Sequence, residues 1–195
     1  MEMRCRAWMV AGVVLLSSGA VLAQPESDTV TKPAFAVADE QPVAVAVVAE
    51  HASIQPGGAT RVAVYFDISD GWHIYGLMPG DAGLPTSVLW SAPAGVEIGP
   101  SHWPQPEDFD EPGGIKTHGY TGSLVLFSNL SYPAAPGADG SQAPALTEIP
   151  IKATVKWLAC KKVCVPGSAT PELILPVSSR EPVLSTHAWL FEQVS

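Results

Sequence analysis

The sequence predicts an all-β protein, an immunoglobulin-like sandwich of two antiparallel sheets with inserted loops. Three observations predict it. About eight short runs rich in β-branched and aromatic residues recur along the chain, separated by turn residues. The 195 residues include 19 prolines and 17 glycines, a composition suited to many turns. In "ATRVAVYFDIS" strict alternation places Val62, Val64, Phe66 and Ile68 on one face, the period of a half-buried strand.

Taken in order, residues 1–23 read as a secretory signal. Arg4 and Arg6 precede an apolar run from Ala7 to Leu22, and Val21 and Ala23 suit cleavage after Ala23. Cys5 would be discarded with it, and the run is short for a bilayer span. Residues 24–41 mix charge, proline and small residues without apolar period and read as a flexible leader. A β-sandwich domain is expected over 42–178. Its strand candidates are "VAVAVVAE", "ATRVAVYFDIS", "WHIYGL", "TSVLWS", a strand around Val96, "GSLVLFSNLSY", "EIPIKATVKWLAC" and "ATPELILPV". "QPGGAT" is a turn, and the small-residue stretch between Tyr132 and Thr147 is a loop. Residues 179–195 form a C-terminal tail, in which "EPVLSTHAWLFEQVS" is either a short helical piece using Leu184, Trp189 and Leu190 or a linker.

The formal net charge is −9, and removal of the signal makes the remainder one charge more negative. Such a surface repels nucleic acid and anionic lipid. Beyond the signal no segment is long and apolar enough to span a membrane, so the mature protein is expected to be soluble, and the cleaved signal makes its expected location periplasmic. Exported thiols meet oxidants, so a nearby cysteine pair there is oxidised unless something reduces it.

That pair is Cys160 and Cys164, in "WLACKKVCVPG". Four extended residues reach about 13 Å, whereas bridged cysteines hold their Cα atoms roughly 4.4 to 6.8 Å apart. The strand must therefore end near Cys160 and turn through Lys161–Val163. Pro166 and Gly167 are expected to keep the next segment out of regular pairing, leaving Cys164 on a loop. So short a loop makes a poor staple. Lys161 and Lys162 would favour thiolate, although two lysines in a turn are common for solubility alone. Metal binding has weaker support: zinc usually takes four ligands, and His51, His73, His102, His118 and His187 show no ligand spacing. Copper(I) held by two thiolates remains chemically reasonable, as does an inert bridge in a non-catalytic binding sandwich. No CxxCH motif is present to attach haem, and no cofactor is expected. The span "GWHIYGLMPGDAGLPTSVLW" reads either as a sandwich corner packed by Trp72, Tyr75 and Trp90 or as a shaped loop over a reactive site, with Gly80 and Gly83 allowing tight turns.

That span, "HWPQPEDF", "HGYTGSLVLF" and "VKWLACKKVCVPG" occur in the order found in a known family. Over about residues 42–177 the chain resembles the N-terminal periplasmic domain of the thiol:disulfide interchange protein DsbD, in its ScsB-like branch. The resemblance implies an immunoglobulin-like redox domain. Such a domain takes reducing equivalents from a membrane-embedded cysteine pair and passes them to periplasmic thioredoxin-fold partners, including disulfide isomerases and cytochrome c maturation proteins. It also implies roles: Cys164 matches the cysteine that attacks the partner disulfide, and Cys160 the one that resolves the mixed disulfide. Full-length members continue into membrane and thioredoxin-like domains, so the donor here is expected to be a separate conduit protein of the DsbD or ScsB type. Tyr75 or another aromatic is expected to cover the pair. Asp81, His73 and His118 are the candidates for proton handling, histidine being the better titrator near neutrality.

Overall fold

A computed structural model describes residues 41–134 and 146–193. The expected signal, nearly all of the leader, and most of the loop before Thr147 lie outside the described residues.

The described residues form eleven strands and one short helix. β1 (Val43–Ala49), β2 (Ala59–Ile68), β8 (Ser123–Ser131) and β5 (Glu97–Ile98) make one antiparallel sheet, in the order β1-β2-β8-β5. The other sheet runs β10 (Cys164–Ala169), β9 (Glu148–Cys160), β3 (His73–Gly80), β7 (Ile115–Thr121) and β6 (Glu107–Glu111). β4 (Ser87–Ser91) and β11 (Glu172–Pro176) also pair with β9. The two sheets pack into the immunoglobulin-like sandwich that the strand pattern predicts.

β9 is the spine of the second sheet. Its alternation over "EIPIKATVKWLAC" is strict, so Ile149, Ile151, Ala153, Val155, Trp157 and Ala159 all point inward and are buried. They meet Val62, Val64, Phe66 and Ile68 of β2, the four residues assigned to one face by their spacing. Phe66 and Trp157 close the contact edge to face, with ring centroids 6.3 Å apart. One edge of β9 carries β11 and then β10; the other carries β4 and then β3.

The first sheet is covered on part of its outer face as well. Val48, Ala63, Tyr65 and Val125 point away from the sandwich core and are covered by Leu190 and Phe191 of α1 (Trp189–Glu192). The tail thus takes the helical alternative, although Leu184 stays exposed. Arg61 secures it: its guanidinium lies 5.3 Å from the Phe191 ring, donates to the Phe191 carbonyl, and is held by Glu50.

Three strands were not expected. β6 is acidic and sits at the sheet edge, where a low intrinsic β preference is tolerated because β7 supplies the pairing. β7 contains Gly119, whose missing side chain lets β3 approach: a Cβ there would lie 2.1 Å from the Ile74 carbonyl oxygen. The third, β10, corrects the reading of Cys164 as a loop residue. Cys164–Ala169 pairs regularly with β9, Cys164 directly opposite Cys160. Proline is tolerated because β10 is an edge strand, where a lost N–H need not cost a ladder bond. Gly167 is required rather than disruptive, since its Cβ would fall 2.3 Å from the Trp157 ring.

Candidate active site

The end of β9 and the start of β10 form a hairpin whose turn is Lys161–Val163. Antiparallel register sets Cys160 and Cys164 opposite one another with Cα atoms 4.1 Å apart, and they form a disulfide. The turn closes with the Lys161 amide donating to the Val163 carbonyl at 3.2 Å. Lys161 Nζ donates to the Asp70 carbonyl at 3.0 Å and lies against Gly71, where a Cβ would come within 2.9 Å of it. The two sulfurs have unequal surroundings. Cys160 is only 4% exposed, while Cys164 is open to solvent.

Strand register explains what lies beside Cys160. On β9 the inward set is odd-numbered, so Cys160 faces outward together with its cross-strand neighbours Cys164 and His73. Further along the same face come Thr121, opposite His73, and Gly119, opposite Tyr75. β6 adds Glu107, Phe109 and Glu111 to that face. The His73 ring stacks on Phe109 at 4.7 Å and meets Tyr75 edge to face at 5.3 Å. Its Nε2 is buried, has no hydrogen-bond partner among the described residues, and lies 3.9 Å from Glu111 Oε1. Burial pushes the His73 imidazole below its ordinary range, and Glu111 and Glu107 only partly offset this. Burial, reinforced by Glu111, also raises the Tyr75 phenol.

The "GWHIYGLMPGDAGLPT" span comprises β3 and the inserted loop, residues 81–86, that joins it to β4. β3 pairs with β9 at Cys160 and Ala159, and β4 resumes the pairing at Lys156. Between them the chain leaves β9, still pairs with β7 at Gly80, and folds back over Tyr75. Gly83 adopts φ 96° and presses on the Tyr75 ring, which a Cβ would approach to 2.6 Å. Thr86, fully buried, donates from Oγ1 to the Tyr75 carbonyl at 2.6 Å.

The four candidates named beside the cysteines therefore divide. His73 and Tyr75 share the outward face with the disulfide. Asp81 is engaged elsewhere: its carboxylate accepts the Lys116 amide at 2.9 Å and its own amide donates to the Lys116 carbonyl, clamping the loop to β7. His118 bonds Asp108 at 2.7 Å on the opposite face of β7 and lines a cleft of about 290 Å³ with Trp103 and Tyr120. Phe109 and Glu111 belong to the site but escaped sequence reasoning. Their only signal was an aromatic within the acidic run "EDFDE". Among the described residues no group of three His, Cys, Asp or Glu side chains is placed to hold a metal, and no helix is long and apolar enough to cross a membrane.

His73 makes a pH prediction with a definite sign. The unfolded chain holds this proton near pH 6.5 and the folded chain only at lower pH, so the unfolded state binds more protons in the window just below 6.5. Stability is expected to rise with pH through that window and to fall on acidification. Urea unfolding of the oxidised protein at about pH 7.5 and about pH 5.5 should show a smaller acid loss for His73→Phe than for wild type. His187, also lowered by burial, contributes equally to both proteins. Identical acid losses would remove His73 as the cause.

None of the curated proteins compared matches the chain. Among solved structures, the N-terminal periplasmic domain of ScsB from Proteus mirabilis aligns with TM-score 0.53 at 19% identity, covering 82% of this chain and 56% of that one. The chain thus spans little more than half of that structure. The reduced N-terminal domain of DsbD from Neisseria meningitidis aligns with TM-score 0.35 at 18% identity, covering 71% of this chain and 90% of that one. The family model described as thiol:disulfide interchange protein DsbD, N-terminal, matches residues 39–176. On that match, which takes in both sheets and the Cys160–Cys164 hairpin, the chain belongs to the DsbD N-terminal domain family.

Proposed function

We propose that this domain is an electron carrier of the periplasm, reached through a cleaved signal over residues 1–23, that works by thiol–disulfide exchange. A membrane conduit of the DsbD or ScsB type reduces the Cys160–Cys164 disulfide, and thioredoxin-fold proteins are the acceptors. In the forward step the Cys164 thiolate attacks a partner disulfide, forming a mixed disulfide and expelling one partner thiolate, which takes a proton from solvent. The Cys160 thiolate then attacks the Cys164 sulfur, re-forms the intramolecular disulfide and releases the second partner thiol. Two electrons and two protons have passed to the partner, so the domain acts as the periplasmic component of a protein-disulfide reductase.

The observation that carries this reading is the asymmetry of the pair. An exposed Cys164 is open to an incoming sulfur, whereas a buried Cys160 reacts only with its neighbour. On this reading His73, Phe109 and Tyr75 shield the buried side and His73 takes up or releases the Cys160 proton, which is supported by the sheet face they share with the disulfide. Asp81 and His118 act, on this reading, through the loop and strand they hold.

Equilibration against dithiol and glutathione buffers, read by the mass of alkylated protein, tests it. The expected result is one reversible two-electron transition involving both cysteines. A pair that stays oxidised in every buffer, and exchanges with no reduced thioredoxin-like protein, would instead be an inert bridge.

A further inference from the structure

The outward face of the second sheet continues past the disulfide into a groove. Its rows are set by register: Cys164, Cys160 and His73 form one, Pro166 and Leu158 the next, and Ser168, Lys156 and Ser87 the third. Each step is two residues, about 7 Å, so the third row lies about 13 Å from the sulfurs. Where β3 leaves β9 before β4 joins it, the Leu158 row has no strand partner on the β3 side. The opening there is about 600 Å³, bounded by Leu84 and Pro85 of the inserted loop, by Lys156 and Trp157, and by Pro166 and Gly167. Leu84 is 60% exposed, as is Val163 of the turn at 66%. Leu84, with Pro85 and Pro166 beside it, gives the groove an exposed apolar rim, and such surface marks a place that something covers.

Charge indicates the occupant. The protein carries 19 acidic against 10 basic side chains, and Arg61, Lys116 and Lys152 are each paired with a carboxylate. Among the described residues no carboxylate pairs with Lys156 in the groove or Lys162 in the turn. An acidic protein thus leaves one unneutralised cation in the groove and another in the turn next to Cys164.

We propose that this groove binds the chain segment flanking the partner's reactive cysteine, and that the segment is extended, with an apolar side chain and a carboxylate. The inference rests on the exchange reading above, because in-line attack by Cys164 brings the residues one to four places from the partner's cysteine over these rows. The apolar side chain enters between Leu84 and Pro166, and the carboxylate meets Lys156. At about 13 Å, Lys156 lies beyond the Debye length of about 8 Å at physiological salt, so it selects the partner without acting on the sulfur's own reactivity.

Two synthetic peptides test this, each with its single cysteine held as a mixed disulfide with thionitrobenzoate. One carries Leu two residues and Glu four residues from the cysteine, the other Leu and Lys at the same two places. The chromophore's charge is common to both and cancels in the ratio of release rates. Reduced wild-type protein is expected to react with the acidic peptide about tenfold faster at low salt, and the ratio to approach one at about 0.5 M salt. Lys156→Glu should lower the ratio at least about threefold, with Lys156→Gln intermediate. A wild-type ratio near one, or an unchanged ratio in folded Lys156→Glu and Lys156→Gln, overturns the proposal. So does sedimentation showing a dimer that Leu84→Ser abolishes, which would give the groove to a second copy of this acidic chain. Hydroxyethyl disulfide, small and neutral, separates the two levels. Wild type that reduces it but shows no peptide preference loses only the groove, whereas wild type that cannot reduce it loses the exchange reading as well.

Discussion

Cys160→Ser, mixed in reduced form with an oxidised thioredoxin-fold protein, is expected to accumulate a covalent complex through Cys164, and Cys164→Ser is expected to accumulate none. The difference follows from where the hairpin puts each sulfur. Cys164 begins the edge strand β10 and is solvent-exposed, so a partner sulfur can line up behind it as the leaving thiolate departs. Cys160 ends the central spine β9, is 4% exposed, and has His73 on one side and Cys164 on the other. Without Cys160 the first exchange proceeds but resolution cannot, so the intermediate persists. Without Cys164 the remaining thiol cannot be reached without opening the sheet. Non-reducing electrophoresis with intact-mass confirmation reads the outcome. Comparable trapping by both variants, or by neither, would sink the assigned division of labour.

Much of this arrangement was legible because alternation over a long strand is hard to mistake. Strict alternation identified the inner face of β2, and the reach of four extended residues required a turn at or near Cys160. What failed to show in the sequence failed for local reasons. Pro166 and Gly167 usually end a strand, but here the edge position excuses the first and the Trp157 ring demands the second. β6, with four carboxylates in five residues, has no strand signature at all, yet it delivers Phe109 and Glu111 to His73. No spacing rule relates residues 73, 109 and 160, which only sheet register brings together. The tail's role was half visible. β1 is apolar at every position, so both of its faces had to be covered, and the residues that cover the second face are Leu190 and Phe191, far away in the chain.

Gly119→Ala is expected to cost at least about 3 kcal/mol of stability and to expose the buried thiol of the reduced protein. Gly119 pairs with Tyr75 on the face shared with the disulfide, and a Cβ there would stand 2.1 Å from the Ile74 carbonyl oxygen and 3.2 Å from the Tyr75 Cα. Both obstacles are backbone, so no rotamer change relieves them. The strands must part, and β3 is the strand that holds His73 beside Cys160. Separation also lifts Tyr75 from the loop that Thr86 and Gly83 press onto it, and draws His73 away from Phe109 on β6. Urea denaturation of the oxidised variant reads the first effect. Alkylation of Cys160 in the reduced state, relative to Cys164, reads the second and should rise toward parity. Lost stability with unchanged relative alkylation would mean that Cys160 is protected by its own position in β9, and that the aromatic cluster shields nothing.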